Sequence, residues 1–365
     1  MYIYLHQKWP QFHWDHKTLL PLLGRVSHLQ GKILGKMELL GFDLRNEASL
    51  ETLTQDVVKS SEIEGEILDP SQVRSSIAKR LGLDQYGLVP SDRNVDGVVD
   101  MMLDATQHYQ KPLTKERLYS WHFALFPTGR SGLNKIIVGQ WRDDSTGPMQ
   151  VVSGTIGRER VHFQAPAAST LEEEMKEFLD WFEKNEEEDA IIKAGIVHLW
   201  FVTLHPFEDG NGRIARALTD LQLARADGIS QRFYSMSSQI RNQRKAYYEQ
   251  LEKTQKGGLD ITHWLKWFLT CLENALLASE TVLEKVVFKH RFWARHSGLV
   301  LNDRQVKILM MLMEEFKGNL TSGKWAKIAK CSSDTALRDI QDLIRKGILQ
   351  KRQEGGRSTN YELIK

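Results

Sequence analysis

Residues 205–216 read His205-Pro206-Phe207-Glu208-Asp209-Gly210-Asn211-Gly212-Arg213-Ile214-Ala215-Arg216, and the rest of the chain is read outward from them. Upstream, 188–204 is apolar almost all round, the pattern of a centrally buried helix; downstream, 212–227 has helical spacing. The stretch is therefore a Pro-containing, Gly-rich turn running straight into a helix. Such a turn gathers several backbone N–H groups and the positive end of a helix dipole around one point, which is an anion-binding geometry. Arg213 and Arg216, three residues apart, share one face of the first turns and can each grip phosphate oxygens. Asp209 is a hard oxygen ligand of the kind Mg²⁺ takes together with substrate phosphates. His205 ends the buried helix, and an ordinary histidine pKa near ~6.5 lets it accept a proton from a hydroxyl at neutral pH. Singly, each residue has a plainer explanation as a turn glycine, a solvated arginine or a core histidine. Their conjunction points to chemistry.

Around this joint the chain reads as mainly α. Residues 16–40 carry Leu19, Leu22, Leu23, Val26, Leu29 and Ile33 at helical spacing, and further helices are expected at 48–65, 70–82, 92–110 and 114–125, with caps such as Ser71 after Pro70 and Thr114. Between 136 and 163 the runs Ile136-Ile137-Val138, Met149 to Val152 and Val161 to Phe163 have β character and are separated by Gly-rich turns, which predicts a small hairpin. Helices resume at 170–184, 188–204, 212–227, 240–255 and 260–290.

At 365 residues two or three domains are expected. A net charge of +2 argues against whole-molecule binding to nucleic acid or membrane. Cys271 and Cys331 stand far apart without metal-ligand spacing, so neither a disulfide framework nor a zinc site is expected. The N-terminus lacks the pattern of a signal peptide and no window resembles a membrane span, so the expectation is a soluble, cytoplasmic protein. A polar stretch at 291–302 marks a domain boundary. Beyond it, residues 301–365 hold 13 Lys/Arg against 8 Asp/Glu, a local basic excess.

The string from His205 to Arg216 matches H-x-F-x-[D/E]-G-N-G-R-x-x-R at every fixed position and so resembles the defining motif of the Fic family. The resemblance implies a Fic helical bundle with a small β-hairpin flap, and transfer of AMP from ATP to a Ser, Thr or Tyr hydroxyl of a target protein. In that reading His205 is the base, Asp209 holds Mg²⁺ on the phosphates, and Arg213 binds the phosphates. Gly210, Asn211 and Gly212 line the cradle, Phe207 anchors the loop, and Pro206 and Glu208 complete the nucleotide-binding turn. Doc-type kinases depart from the Gly210-Asn211-Gly212-Arg213 part, which this chain keeps. By the same resemblance Val151, Val152, Ser153 and Gly154 belong to the flap that pairs with an extended target segment. Tyr247 and Gln255 resemble positions near the adenine; taken alone, tyrosines there are core residues.

Upstream, Ser60-Ser61-Glu62-Ile63-Glu64-Gly65 resembles the inhibitory signature [S/T]-x-x-x-E-[G/N] of intramolecularly inhibited Fic proteins. Read without the resemblance, it is a helix C-terminus capped by Gly65. Ser60 and Glu64, four apart, share a helix face from which Glu64 can reach Arg216 and remove the group needed for the γ-phosphate. In related proteins the same Glu also supports removal of AMP. Trp9 to Asp15 resembles the N-terminal domain that accompanies such proteins, and a homodimer is implied likewise.

The last part, three helices at 301–316, 325–329 and 333–346 followed by strands near 348–352 and 361–364, resembles a winged helix-turn-helix. Ser332, Ser333, Thr335, Arg338, Arg352 and Arg357 would face DNA in such a fold, although many winged helices bind proteins or dimerise instead. The expected division is 1–90 for the N-terminal helical region, 91–290 for the catalytic domain and 300–365 for the winged helix. Two alternatives stand beside the AMP transferase: a nucleotide-sensing, DNA-binding transcription regulator, and an enzyme moving UMP or another phosphate-linked group.

Overall fold

Side-chain caps fix where most helices begin. Asp15 accepts from the backbone N–H groups of Lys17 and Thr18 to open α1 (His16–Glu38), and Asp69, Asp92 and Thr114 likewise open α3 (Pro70–Arg80), α4 (Arg93–Gln107) and α5 (Lys115–Leu125). The helix α2 (Phe42–Ile63) lies between the first two. The computed structural model describes residues 1–83, 89–145, 147–154, 158–184, 188–313, 316, 318–352 and 359–364. Its order continues with β1 (Arg130–Ser131), β2 (Asn134–Lys135), β3 (Gln150–Ser153), β4 (Arg160–Gln164), α6 (Leu171–Glu183), α7 (Ala190–Leu204), α8 (Asn211–Asp227), α9 (Met236–Asn242), α10 (Arg244–Gln255) and α11 (Thr262–Arg295). Last come α12 (Asp303–Met313), α13 (Ser322–Ala329), α14 (Ser333–Arg345), β5 (Leu349–Lys351) and β6 (Tyr361–Leu363). The fold is mainly α, with three two-stranded antiparallel sheets among the described residues: β1–β2, β3–β4 and β5–β6.

The chain divides into two compact units, Met1–Val282 and Leu283–Lys365, and the division falls within α11. In the first unit α7 is the central element. Every residue from Ile191 to Leu204 is buried, Lys193, His198 and Thr203 included, as a helix apolar almost all round requires. Each buried Leu, Ile or Phe contributes about 1.5–3 kcal/mol relative to exposure. Helix α8 packs along α7, and the turn between them carries the motif.

The second unit has its own core, in which Phe292, Ile308, Trp325, Ile340, Leu343 and Tyr361 are buried. Asp339 on α14 ties the start of α12 by accepting from Arg304 and Asn302. Among the described residues no helix is long and apolar enough to cross a membrane.

Three expectations meet a different structure. Ile136-Ile137-Val138 forms no strand, because its backbone N–H groups go elsewhere: Ile136 to the Gly129 carbonyl and Ile137 to the Glu208 carboxylate. The single helix expected over 240–255 is two, α9 and α10, meeting at Gln243, whose φ of −114° leaves the helical region. Residues 291–295 remain helical and Phe292 is buried in the second unit, so the division lies at Leu283 rather than in the polar stretch 291–302.

Candidate active site

The corner between α7 and α8 is built from backbone conformations that few residues tolerate. His205 leaves α7 with φ 50° and ψ 55°, a left-handed conformation uncommon outside glycine and a mark of a functionally constrained position. Its carbonyl accepts from Arg142 Nε at 2.8 Å, and the next carbonyl, of Pro206, accepts from the Arg142 backbone N–H at 2.9 Å. Phe207 is wholly buried and stacks on His122, ring centroids 4.1 Å apart. Asn211 closes the turn on itself: its Oδ1 accepts from Phe207 N–H at 3.0 Å and its Nδ2 donates to Phe207 O at 2.7 Å. Glu208 accepts from the Ile137 N–H at 2.9 Å and so holds the segment after β2. Gly210 caps α8 at φ 80°, and a Cβ there would lie 2.9 Å from the Phe126 ring.

Burial drives the His205 pKa down from 6.5 to about 4, so the imidazole is neutral at physiological pH. Its Nδ1 faces the Val202 carbonyl at 3.3 Å, which places the ring proton there and leaves Nε2 as the acceptor. The sequence alone gives this histidine an ordinary pKa; its surroundings make it a stronger guarantee of the base form and a weaker base.

Two arginines of α8, Arg213 and Arg216, are buried, and both meet acids just past the end of α2. Arg216 donates from Nε to Ser60 Oγ at 2.8 Å, and from Nη2 to Ser60 O at 2.9 Å and Glu64 Oε1 at 2.8 Å. Arg213 donates from Nη1 to Glu66 Oε2 at 2.8 Å while its guanidinium lies over the Phe126 ring. Gly65, at φ 88°, turns the chain between the two acids. The Glu64 carboxylate rests on the backbone of the turn, since a Cβ at Gly212 would lie 2.2 Å from its Oε1. Two buried donors, Arg213 Nε and Arg216 Nη1, have no hydrogen-bond partner among the described residues. The end of α2 thus lays a carboxylate where the α8 N-terminus and Arg216 converge.

Asp209 accepts from its neighbour Gly210 N–H at 2.6 Å through Oδ1 and from the Ser131 hydroxyl through Oδ2. Among the described residues no group of three or more His, Cys, Asp or Glu side chains could hold a metal. One carboxylate beside an anion cradle suits a Mg²⁺ that takes most of its ligands from phosphates and water.

The remaining candidates are spread around this corner. Val152 and Ser153 lie exposed on β3 of the two-stranded flap, whose register shifts between Val151 and Val152. Tyr247 is in the core, its hydroxyl 2.9 Å from His198 Nε2, and Gln255 donates to Val202 O at 3.3 Å on the last turn of α7. Both brace α7, and Tyr247 also lies beside the Arg216 guanidinium. Sequence reasoning missed Glu66, Arg142, Ser131 and His122. Glu66 left a signal, an acid two residues beyond Glu64; the other three left none, because they reach the turn from distant positions.

Residues 112–223 match the Fic/DOC family, and residues 2–83 match a domain of unknown function (DUF4172). The chain therefore carries a Fic/DOC domain. It is 36% identical over 122 residues to the protein adenylyltransferase Fic of Nematostella vectensis, a match covering 32% of this chain and 27% of that protein. It is also 36% identical over 121 residues to a uridine 5'-monophosphate transferase of Xanthomonas campestris, covering 31% of this chain and 21% of that one. The matched stretch thus spans about a quarter of these relatives' length. A Fic family protein from Desulfovibrio desulfuricans shares the fold over 96% of this chain and 97% of its own, with a TM-score of 0.56 at 20% identity.

Proposed function

We propose that this chain, on the premise of its Fic/DOC domain, is a protein adenylyltransferase that moves AMP from ATP to a Ser, Thr or Tyr hydroxyl of a target protein and is held inactive by the end of α2. The observation that carries this reading is the corner itself: a neutral histidine with Nε2 available, next to a helix N-terminus with two buried arginines that keep unpartnered donors. The phosphates of ATP sit against the α8 N-terminus and the guanidinium groups of Arg213 and Arg216. His205 Nε2 takes the proton of the target hydroxyl, the oxygen attacks the α-phosphorus, and pyrophosphate leaves. Mg²⁺ on Asp209 would neutralise phosphate charge. Glu64 and Glu66 compete for the two arginines, so the phosphates find their partners taken.

The relatives' names support transfer of a nucleoside monophosphate and give no support to the transcription-regulator alternative. One relative is named a uridine 5'-monophosphate transferase, so the test must separate AMP transfer from UMP transfer. The test is transfer of label from nucleotides labelled at the α-phosphate onto the proteins of a cell lysate, comparing wild type, Glu64→Gly and Glu64→Gly with His205→Ala. Transfer from ATP that is strong only in Glu64→Gly is the expected result. Preference for UTP would move the assignment to UMP transfer, and an active His205→Ala variant would sink the mechanism.

For residues 300–365 we infer a winged helix, supported by the three helices α12, α13 and α14 followed by the antiparallel pair β5–β6. Of its DNA-contact candidates, Ser332, Ser333, Arg338 and Arg352 are exposed and Thr335 is half-buried; Ser332 also caps α14 by accepting from Thr335 N–H at 3.2 Å. Arg352 lies 3.5 Å from Glu362, and Arg357 falls outside the described residues.

A further inference from the structure

A second set of chemically competent side chains lies on the flap. Ser153 Oγ, at the end of β3, is 2.5 Å from Nε2 of His162 on β4, and His162 Nδ1 is 2.7 Å from Glu252 Oε2 on α10. An ionised carboxylate only accepts, so the imidazole proton sits on Nδ1 and is donated to Glu252, leaving Nε2 to accept from the serine hydroxyl. Glu252 is held ionised: hydrogen bonds from Lys256, then His162 and Arg160, push its carboxyl down to about 2. Nucleophile, base and orienting acid thus stand in the order that activates a serine.

Such a relay needs an electrophile, and the α7–α8 corner supplies one. The flap is rooted there through Arg142, which donates to His205 O and Pro206 O and, from Nη2 at 2.6 Å, to Pro166 O just past β4. On the other side, Glu252 lies one turn before Gln255, which donates to the same Val202 carbonyl that His205 Nδ1 faces. Both anchorages of the flap therefore lead to the catalytic corner. Ser153 is exposed, next to Gly154 at φ 110°.

We propose that Ser153 is a self-modification site, a hydroxyl of the chain's own flap that accepts the nucleotidyl group with His162 as its base. This rests on the nucleotidyl-transfer reading above. The Ser153 Oγ–Pα bond forms and the bond from Pα to the bridging oxygen of the β-phosphate breaks. Pyrophosphate leaves with that electron pair, the hydroxyl proton passes to His162 Nε2, and Glu252 stabilises the imidazolium. The modified flap loses the Ser153–His162 hydrogen bond and carries a bulky anionic group on the strand that faces a target.

The competing explanation is a clasp that merely ties β4 to α10, and peptide mapping separates the two. Full-length Glu64→Gly protein is incubated with ATP and Mg²⁺, digested, and its adenylyl groups located by tandem mass spectrometry. The expected site is Ser153. Ser153→Ala removes that label, and His162→Gly slows its appearance at least about tenfold, as loss of a general base does. Added imidazole restores the rate, which a clasp would not permit. If adenylyl groups appear on lysate proteins or on other residues while the Ser153 peptide stays unmodified, this proposal fails and the transfer reading stands. If none appears anywhere, both fail.

Discussion

At the scale of single residues the site is governed by burial. His205 titrates near 4 because desolvation disfavours its charged form. The acid limb of kcat/KM should therefore fall close to pH 4, well below the midpoint near 6.5 of an exposed histidine, in a profile measured on Glu64→Gly. A limb near 6.5 would show that His205 is solvated in the active enzyme. Stability has the same origin with a definite sign. Between pH 4 and 6.5 the unfolded chain binds a proton at this position that the folded chain refuses, so the folded state gains stability as pH rises through that window. His198, lowered to about 3 by complete burial, acts in the same direction. Denaturant midpoints should rise from pH 4 to 6.5 and then level off as far as these two groups are concerned.

At the scale of elements, the end of α2 is one carboxylate richer than its motif. Glu64 meets Arg216 and Glu66 meets Arg213, with Gly65 turning between them. Glu66 is about one-third exposed, so its bond belongs at the low end of the ~1.5–3 kcal/mol of a charged hydrogen bond. Glu66→Gln should raise the rate of Glu64→Gly by up to about tenfold and of the wild type by less. Equal initial rates with and without Glu66 would make it a bystander. The break between α9 and α10 belongs to the same region, since it places Arg244 where its Nε donates to Ile63 O at 2.7 Å, at the end of α2. A continuous 240–255 periodicity conceals that break, because the hydrophobic pattern does not register a single residue leaving helical φ.

At the scale of the whole molecule, two cores imply two separable stabilities. Trp325 is fully buried in the second unit, and Trp325→Ala should cost that unit about 3–5 kcal/mol. Hydrogen exchange should rise throughout 283–365 while protection of α7 and α8 stays unchanged; a matching loss in α7 would mean that the units unfold together. The boundary at Leu283 was hidden because α11 runs through it to Arg295, and a helical period carries no mark of which core its face joins.

What the sequence by itself determined is what local chemistry dictates: the helices with their caps, the turn from His205 to Arg216, and a Ser60–Glu64 face spaced to meet Arg216. Glycines at 210 and 212 and an arginine pair at 213 and 216 sit within twelve residues, so their joint purpose is visible in one window. Only the tertiary structure decided the rest. It lowered the His205 pKa, brought Glu66 to Arg213, threaded Arg142 under the turn, set Tyr247 and Gln255 against α7, and joined Ser153, His162 and Glu252. These depend on groups that lie far apart in sequence and on the exclusion of water around them. Desolvation and long-range pairing arise only when the helices pack, and no spacing along the chain encodes them.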